Sequence, residues 1–303
     1  MSEQIPLTEE ARADDPALDD QNDDTTHEIA GDLSYKRVAI VNVVFSGRAG
    51  AADRQWVLID AGMPGSAGAI KRAATKRFGE NSRPAAIVMT HGHFDHGGAL
   101  ETLADEWEAP IYAHLLEQPY LDGRSAYPPP DPSVGGGLMA LSSPLFPKGP
   151  IDVGRRLRIL PELGEVPGMP GWRWIHTPGH TAGHVSLWRE TDRALIVGDA
   201  FITTRQESAY AAMMQTPEMH GPPMYFTPDW DSARESVCAL AALEPELVVT
   251  GHGRAMRGEE MRLALQALAR NFDEVARPEH GRYVSEPALA DASGTTYVPP
   301  KEN

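Results

Sequence analysis

The sequence predicts a layered α/β (α+β) protein in which helices pack outside β-sheets, and three observations predict it. Short β-like runs alternate with helical patterns through the middle of the chain. The strand-like runs outnumber the helical ones. The apolar residues of the helical runs fall on one side, as Trp230, Ala233, Val237 and Leu240 do, which suits helices that cover a sheet.

The elements follow in order. Residues 36–45 and 55–59 read as two strands joined by a Gly/Ala-rich turn. Ser66 is placed to cap a helix reaching Phe78, with Gly79 as its stop. Residues 85–89 are a short apolar run between Pro84 and a His/Gly loop, hence a buried strand. Leu100, Leu103, Ala104 and Trp107 keep helical spacing, and residues 110–113 form another strand. Residues 119–150, rich in proline and holding Gly135-Gly136-Gly137, read as a long loop or insertion. Four short strands follow at 157–160, 172–176, 184–189 and 194–197. Residues 203–227 look irregular and are rich in Met and aromatics. Thr227-Pro228 opens the helix carrying Trp230, residues 246–250 are a last strand, and Met261, Leu265, Leu268, Phe272 and Val275 line a final helix.

Composition bounds the function. With 27 Lys+Arg against 43 Asp+Glu the net charge is −16, which argues against a nucleic-acid partner. Residues 1–30 read as a disordered acidic arm: the first 28 carry ten acidic residues and one basic residue. Residues 31–277 form the expected single domain, and 278–303 a loosely held tail. One cysteine, Cys238, excludes an intramolecular disulfide and a Cys-rich zinc module; its place among apolar helix residues reads as a small buried hydrophobe. The N-terminus lacks a basic region followed by an apolar one, and no apolar run is long enough for a bilayer, so the expectation is a cytoplasmic protein with no membrane partner.

The chemistry concentrates in His91-Gly92-His93-Phe94-Asp95-His96, directly after a buried strand and before a helix. Imidazoles and carboxylates are zinc-type ligands, and four of them within six residues crowd a single ion. The spacing therefore suggests two ions, with His91 and His93 on one and Asp95 and His96 on the other. Three further candidates stand beside glycine after strands: His180, Asp199 and His252. A carboxylate such as Asp199 can bridge two cations. An open coordination position would make the site catalytic.

These motifs, in this order, resemble the metallo-β-lactamase superfamily: His91-x-His93-x-Asp95-His96, Pro178-Gly179-His180-Thr181, Gly198-Asp199-Ala200 and Gly251-His252-Gly253, preceded by Leu58-Ile59-Asp60-Ala61-Gly62. The resemblance implies a four-layer αβ/βα sandwich and a dinuclear site at one sheet edge. It implies two divalent metal ions, of zinc type. His91, His93 and His180 would hold one, Asp95, His96 and His252 the other, with Asp199 bridging and Asp60 supporting from behind. Catalysis would rest on a metal-bridging water, deprotonated near neutral pH, and on Asp95, which orients it and handles its proton.

His184, four residues after His180, is a candidate to support a ligand from behind. His114 and His176 border strands and read as structural. His27 and His280, in arm and tail, read as solvated. A substrate pocket is expected from the irregular stretch after Asp199: Phe201, Tyr210, Met213, Met214, His220, Met224, Tyr225 and Phe226. The 119–150 insertion, through Tyr120, Tyr127, Leu138, Met139 and Phe146, is expected to roof it. Branches of the family divide by accessory features, and the resemblance is nearest to acyl-homoserine lactonases and to glyoxalase II-type thioesterases. The lactonases usually carry a Tyr shortly after the bridging Asp, where this chain has Phe201-Ile202; the thioesterases carry a helical domain, where 51 residues follow His252 here. His at 93, rather than Glu, favours hydrolysis over the redox diiron branch. The reading is a metal-dependent hydrolase of a small lactone, ester or thioester. Its alternatives are a phosphodiesterase-type hydrolase on the same site and a mononuclear iron thiol dioxygenase. The expected partner is a small-molecule substrate, and a homo-oligomer is compatible with all of these.

Overall fold

A computed structural model describes residues 5–14 and 26–301. The first sheet runs β1 (His27–Ala30), β2 (Leu33–Val38), β3 (Val41–Ser46), β4 (Val57–Ile59), β5 (Ala86–Val88), β6 (Ile111–Ala113) and β7 (Leu157–Ile159), in spatial as in chain order. Its neighbours are antiparallel up to β4 and parallel from β4 to β7. The second sheet contains β8 (Trp172–His176), β9 (Val185–Arg189), β10 (Ala194–Gly198), β11 (Leu247–Thr250) and β12 (Met256–Arg257), ordered β12-β11-β10-β9-β8. There only β10 and β11 pair in parallel.

Period-two alternation sorts side chains into layers. Val57 and Ile59 of β4 meet Val185 and Leu187 of β9, Ile196 of β10 and Val249 of β11 in one buried cluster between the sheets. Leu58 of β4 faces the other way, against Ile70 and Ala74 of helix Ala67–Phe78 and Leu100 and Leu103 of helix Leu100–Trp107. Leu195 and Val197 of β10 and Val248 of β11 point outward onto Val237 and Leu240 of helix Trp230–Ala242 and Leu265 and Leu268 of helix Gly258–Arg270. The result is the expected helix–sheet–sheet–helix sandwich.

Several local expectations change. The strand expected over 36–45 is a hairpin, because Ala39 adopts φ +58° and turns the chain without a Gly or Asn to signal it. The 119–150 insertion contains helices Gln118–Leu121 and Gly137–Ser142, and the irregular 203–227 stretch contains helix Ala209–Met214. Cys238 is exposed, since it lies off the face that Ala233, Val237 and Leu240 bury.

The ends also differ from the reading of an arm and a tail. Leu7, Ala11 and Ala13 are buried, and Ile5–Pro6 pairs with Glu218–Met219. Thr8 donates through its backbone N and Oγ1 to Glu260, at 2.6 and 2.7 Å. Asp14 is buried, and although burial opposes its charge, the Arg12 guanidinium at 2.6 Å holds its carboxyl below the usual range. The remainder of the expected acidic arm up to residue 25 lies outside the described residues. At the other end Tyr283 is buried, and β13 (Leu289–Asp291) pairs with β14 (Gly294–Tyr297). Among the described residues no helix is long and apolar enough to cross a membrane.

Candidate metal centre

The seven candidate ligands come from segments that leave the ends of strands in both sheets, Asp95 and His96 within the single helical turn Phe94–Gly97. His91, His93, Asp95 and His96 follow β5; His180 lies between β8 and β9; Asp199 follows β10; His252 follows β11. All seven are buried. Three groups bring their donor atoms within 4.8 Å of one another: His91 with His93 and His180, His91 with His96 and Asp199, and Asp95 with His96 and His252. Asp199 Oδ2 lies 3.5 Å from His96 Nε2, 3.5 Å from His180 Nε2 and 3.1 Å from His252 Nε2, between the two sides of the cluster. His93 Nδ1 and His180 Nε2 approach to 2.9 Å, and His252 Nε2 lies 3.5 Å from Asp95 Oδ2.

The donor set fits cations. His91 Nε2, His96 Nε2 and Asp199 Oδ1 are buried with no hydrogen-bond partner, and an orphaned buried polar atom costs about 1–3 kcal/mol unless something fills its valence. Meanwhile the opposite nitrogens are engaged, as ligand orientation requires. His96 Nδ1 meets Asp60 Oδ2 at 2.8 Å, His252 Nδ1 meets the Ile40 carbonyl at 2.7 Å, and His91 Nδ1 meets Thr90 Oγ1 at 3.1 Å. Asp60 also accepts from Thr90 N and Oγ1, both at 2.8 Å, from a backbone at φ +60°. His184 stands behind Asp199: its Nε2 accepts from Asp199 N at 2.9 Å while Nδ1 contacts Thr177 Oγ1 at 2.8 Å.

Close backbone approach explains one glycine. A Cβ on Gly251 would strike Asp199 Oδ1 and come within 2.6 Å of His96 Cε1.

Electrostatics divide the histidines. Burial, with His96 next in weight, pushes His91 well below its usual pKa and His93 down to about 3; burial, then His93, depresses His180. These rings are neutral, the form that coordinates a metal. For His96 and His252 burial is the largest influence and opposes protonation, but Asp199 together with Asp60 at His96 and Asp95 at His252 outweighs it, and both are raised. Burial raises Asp95.

A residue that the motifs do not contain joins the two halves of the site. Glu117, fully buried just beyond β6, accepts from Gly92 N at 3.0 Å, Thr181 Oγ1 at 2.6 Å, Gly183 N at 3.1 Å and the Tyr127 hydroxyl. It staples the His91–His93 loop to the His180 loop. The one signal for it in the sequence is its position just after a strand end, the position shared by Asp60, His91, Asp199 and His252.

A cavity of about 250 Å³ opens beside this cluster, with His93 and His180 in its wall. Tyr225 and Phe226 line it, together with Tyr120 and Tyr127 of the insertion. The other expected pocket residues do not. Phe201 and Met224 are packed in the core behind the second sheet. His220 is buried with Nε2 3.4 Å from Glu207. Tyr210, Met213 and Met214 are exposed on helix Ala209–Met214. Composition marks this stretch as apolar but does not say which side of a one-and-a-half-turn helix faces out. Phe146 packs against Phe94 with the rings tilted and centroids 5.4 Å apart, rather than lining the cavity. His114 and His176 stack on each other at 4.2 Å, and His176 also reaches the cavity wall.

Two facing sheets with helices outside, and a buried His/Asp cluster at their strand ends, define a metallohydrolase-type scaffold. The model of the metallo-β-lactamase superfamily matches residues 40–252, and the chain belongs to that superfamily. It is 48% identical over 238 residues to the probable metallo-hydrolase YflN of Bacillus subtilis, a match covering 78% of this chain and 90% of that protein. A second B. subtilis protein, the probable metallo-hydrolase YybB, is 28% identical over 196 residues, covering 65% of this chain and 74% of that one. Among solved structures the Rm3 metallo-β-lactamase superposes with a TM-score of 0.57 at 19% identity, over 86% of this chain and 97% of that one, which shows a shared fold.

Proposed function

We propose that the protein is a metal-dependent hydrolase that cleaves a lactone, ester or thioester and uses two divalent ions, of zinc type. His91, His93 and His180 would hold one, and Asp95, His96 and His252 the other, with Asp199 shared. The observation that carries this is the trio of unpartnered buried donors, His91 Nε2, His96 Nε2 and Asp199 Oδ1, inside a cluster in which the Nδ1 atoms of His91, His96 and His252 are engaged. Nitrogen and carboxylate oxygen donors without thiolate suit zinc. The names of YflN and YybB point the same way. Two such cations supply Lewis acidity toward a carbonyl oxygen and a nucleophile at neutral pH.

The chain's own groups would do the rest. With His93 and His180 in its wall, the cavity would admit a reacting carbonyl to the mouth of the cluster. Asp95, buried in the cluster, would take a proton from the attacking water and return it to the leaving oxygen or sulfur. Asp60 and His184 hold His96 and Asp199 in orientation.

The test is metal analysis of protein purified without chelators, with a panel of lactone, aryl ester, thioester and bis-aryl phosphate substrates. Two zinc-type ions per chain and acyl cleavage that disappears in Asp199→Ala are expected. One iron per chain, or undiminished turnover in that variant, overturns the proposal.

A further inference from the structure

Two short helices turn their large apolar side chains to water instead of to the core. Helix Gly137–Ser142, in the insertion, and helix Ala209–Met214, after β10, each bury a single alanine, Ala140 and Ala212. Leu138 and Leu141 stand three residues apart on the first, and Tyr210, Met213 and Met214 keep the i, i+3, i+4 spacing on the second. Leu145 ends the turn Ser143–Leu145 that follows the first helix. The two helices lie side by side. Met139 N donates to the Glu207 carbonyl at 3.3 Å, and a Cβ on Gly137 would lie 2.4 Å from that oxygen, so the backbones meet closely. The two apolar stripes therefore join into one patch.

Each of the six side chains is between 55% and 86% exposed. Together they leave on the order of 700 Å² of apolar surface in water, more than the roughly 300–600 Å² of the largest patch on an ordinary monomer and close to the roughly 800 Å² that one partner brings to a stable complex. Charge narrows what covers it. Residues 132–147 and 208–217 contain no charged residue, in a chain of net charge −16. A partner selected by charge finds nothing in them to read. A bilayer surface is held by Lys and Arg beside an apolar face, and these stretches have neither. The segments outside the described residues, 1–4, 15–25 and 302–303, hold only Met1 and Leu18 as large apolar residues, too few to cover six. A second copy of the chain meets every condition. A two-fold axis sets the patch against itself, apolar on apolar. Two bodies of charge −16 repel least where both faces are uncharged, and Met and Tyr are among the residues that interface cores favour.

We propose that the chain forms a two-fold homodimer through this patch, helices Gly137–Ser142 and Ala209–Met214 of one copy packing on those of the other. The contact reaches toward the metal centre, because Phe146, next to Leu145, packs against Phe94 between His93 and Asp95. Sedimentation velocity of the full chain between about 1 and 100 µM tests the proposal. A species of twice the chain mass is expected. A two-fold axis doubles every substitution, so Leu141→Glu and Met213→Glu each bury two unpaired charges and weaken self-association at least 100-fold, with far-UV circular dichroism unchanged. Leu163→Glu, at a leucine 85% exposed on the loop before β8, leaves the dimer intact. A monomer throughout the concentration range, a dimer indifferent to both patch substitutions, or an equal loss in Leu163→Glu overturns the proposal. A monomer that floats with phosphatidylcholine vesicles overturns it too, and assigns the patch to a membrane.

Discussion

Replacing Glu117 tests whether the two ligand loops are held together by the protein itself. Its carboxylate is fully buried, and burial raises its pKa although four donors pull the other way. Glu117→Ala strands the backbone N–H of Gly183, while Gly92 N keeps the Tyr127 hydroxyl at 2.9 Å and the Thr181 hydroxyl can rotate toward another acceptor. One stranded amide at about 1–3 kcal/mol gives a loss of about 2 kcal/mol. For a domain of this size that corresponds to a fall in Tm of roughly 5 °C. Glu117→Gln keeps the shape and one acceptor oxygen, so its loss is about half. The loops also carry His91, His93 and His180, so metal affinity falls by about 10–100-fold in Glu117→Ala, as when groups behind metal ligands are removed. Scanning calorimetry measures the first effect. Competition against a chromophoric chelator, at a temperature where both proteins are folded, measures the second. A Tm within 2 °C of the parent, or unchanged metal affinity in a destabilised variant, refutes the idea that Glu117 positions the ligands.

Three other outcomes follow from named contacts. His114 is held down to about 4 by burial and then by His176, whereas the unfolded chain protonates near 6.5; the stabilisation from the neutral ring is complete above 6.5 and is lost as pH falls toward 4. Denaturant unfolding at pH 8, 6 and 4 should therefore show His114→Asn, which keeps an acceptor for Leu116 N, closing its stability gap to the parent as pH drops. Gly251→Ala drives a Cβ into Asp199 and His96, so metal affinity should fall at least tenfold by chelator competition while far-UV circular dichroism is preserved. Chelation should leave a folded protein of lower Tm. Free metal at 100 times its Kd should restore about 2.7 kcal/mol, read as a concentration-dependent Tm.

The metal cluster was legible because its residues are polar where burial is otherwise apolar. The loop His91–His96 follows a short run of apolar residues, and His180, Asp199 and His252 each abut a glycine after a β-like run. Glu117 was not legible, since a single Glu in a Leu-Leu-Glu-Gln stretch is ordinary helix composition. The C-terminal segment was missed for a related reason: it is held by Tyr283 and Thr295 through specific bonds, which leave no periodic apolar pattern. The N-terminal residues were misread because acidity dominates their composition, yet Leu7, Ala11 and Ala13 suffice to seat residues 5–14 once Arg12 neutralises Asp14. The pocket residues divided by orientation, which composition does not carry: Tyr225 and Phe226 face the cavity, Tyr210 and Met213 face water.

The site lies on the seam between the sheets, and the seam is stapled independently of any ion. Asn42 of β3 in the first sheet donates through its Nδ2 to the carbonyls of Thr250 and Gly253, at 2.9 and 2.7 Å, and through its backbone N to that of Gly251 at 2.8 Å. Ile40, in the turn before β3, receives His252 Nδ1. Those bonds clamp the loop after β11 to the first sheet on one side, while Glu117 clamps the loop before β9 on the other. Between the clamps sit His91 Nε2, His96 Nε2 and Asp199 Oδ1, which a fold selected for stability alone would have paired or replaced with apolar groups. Their isolation survives because the clamps over-determine the loops around them, and a donor set already in place loses little freedom when it closes on a cation.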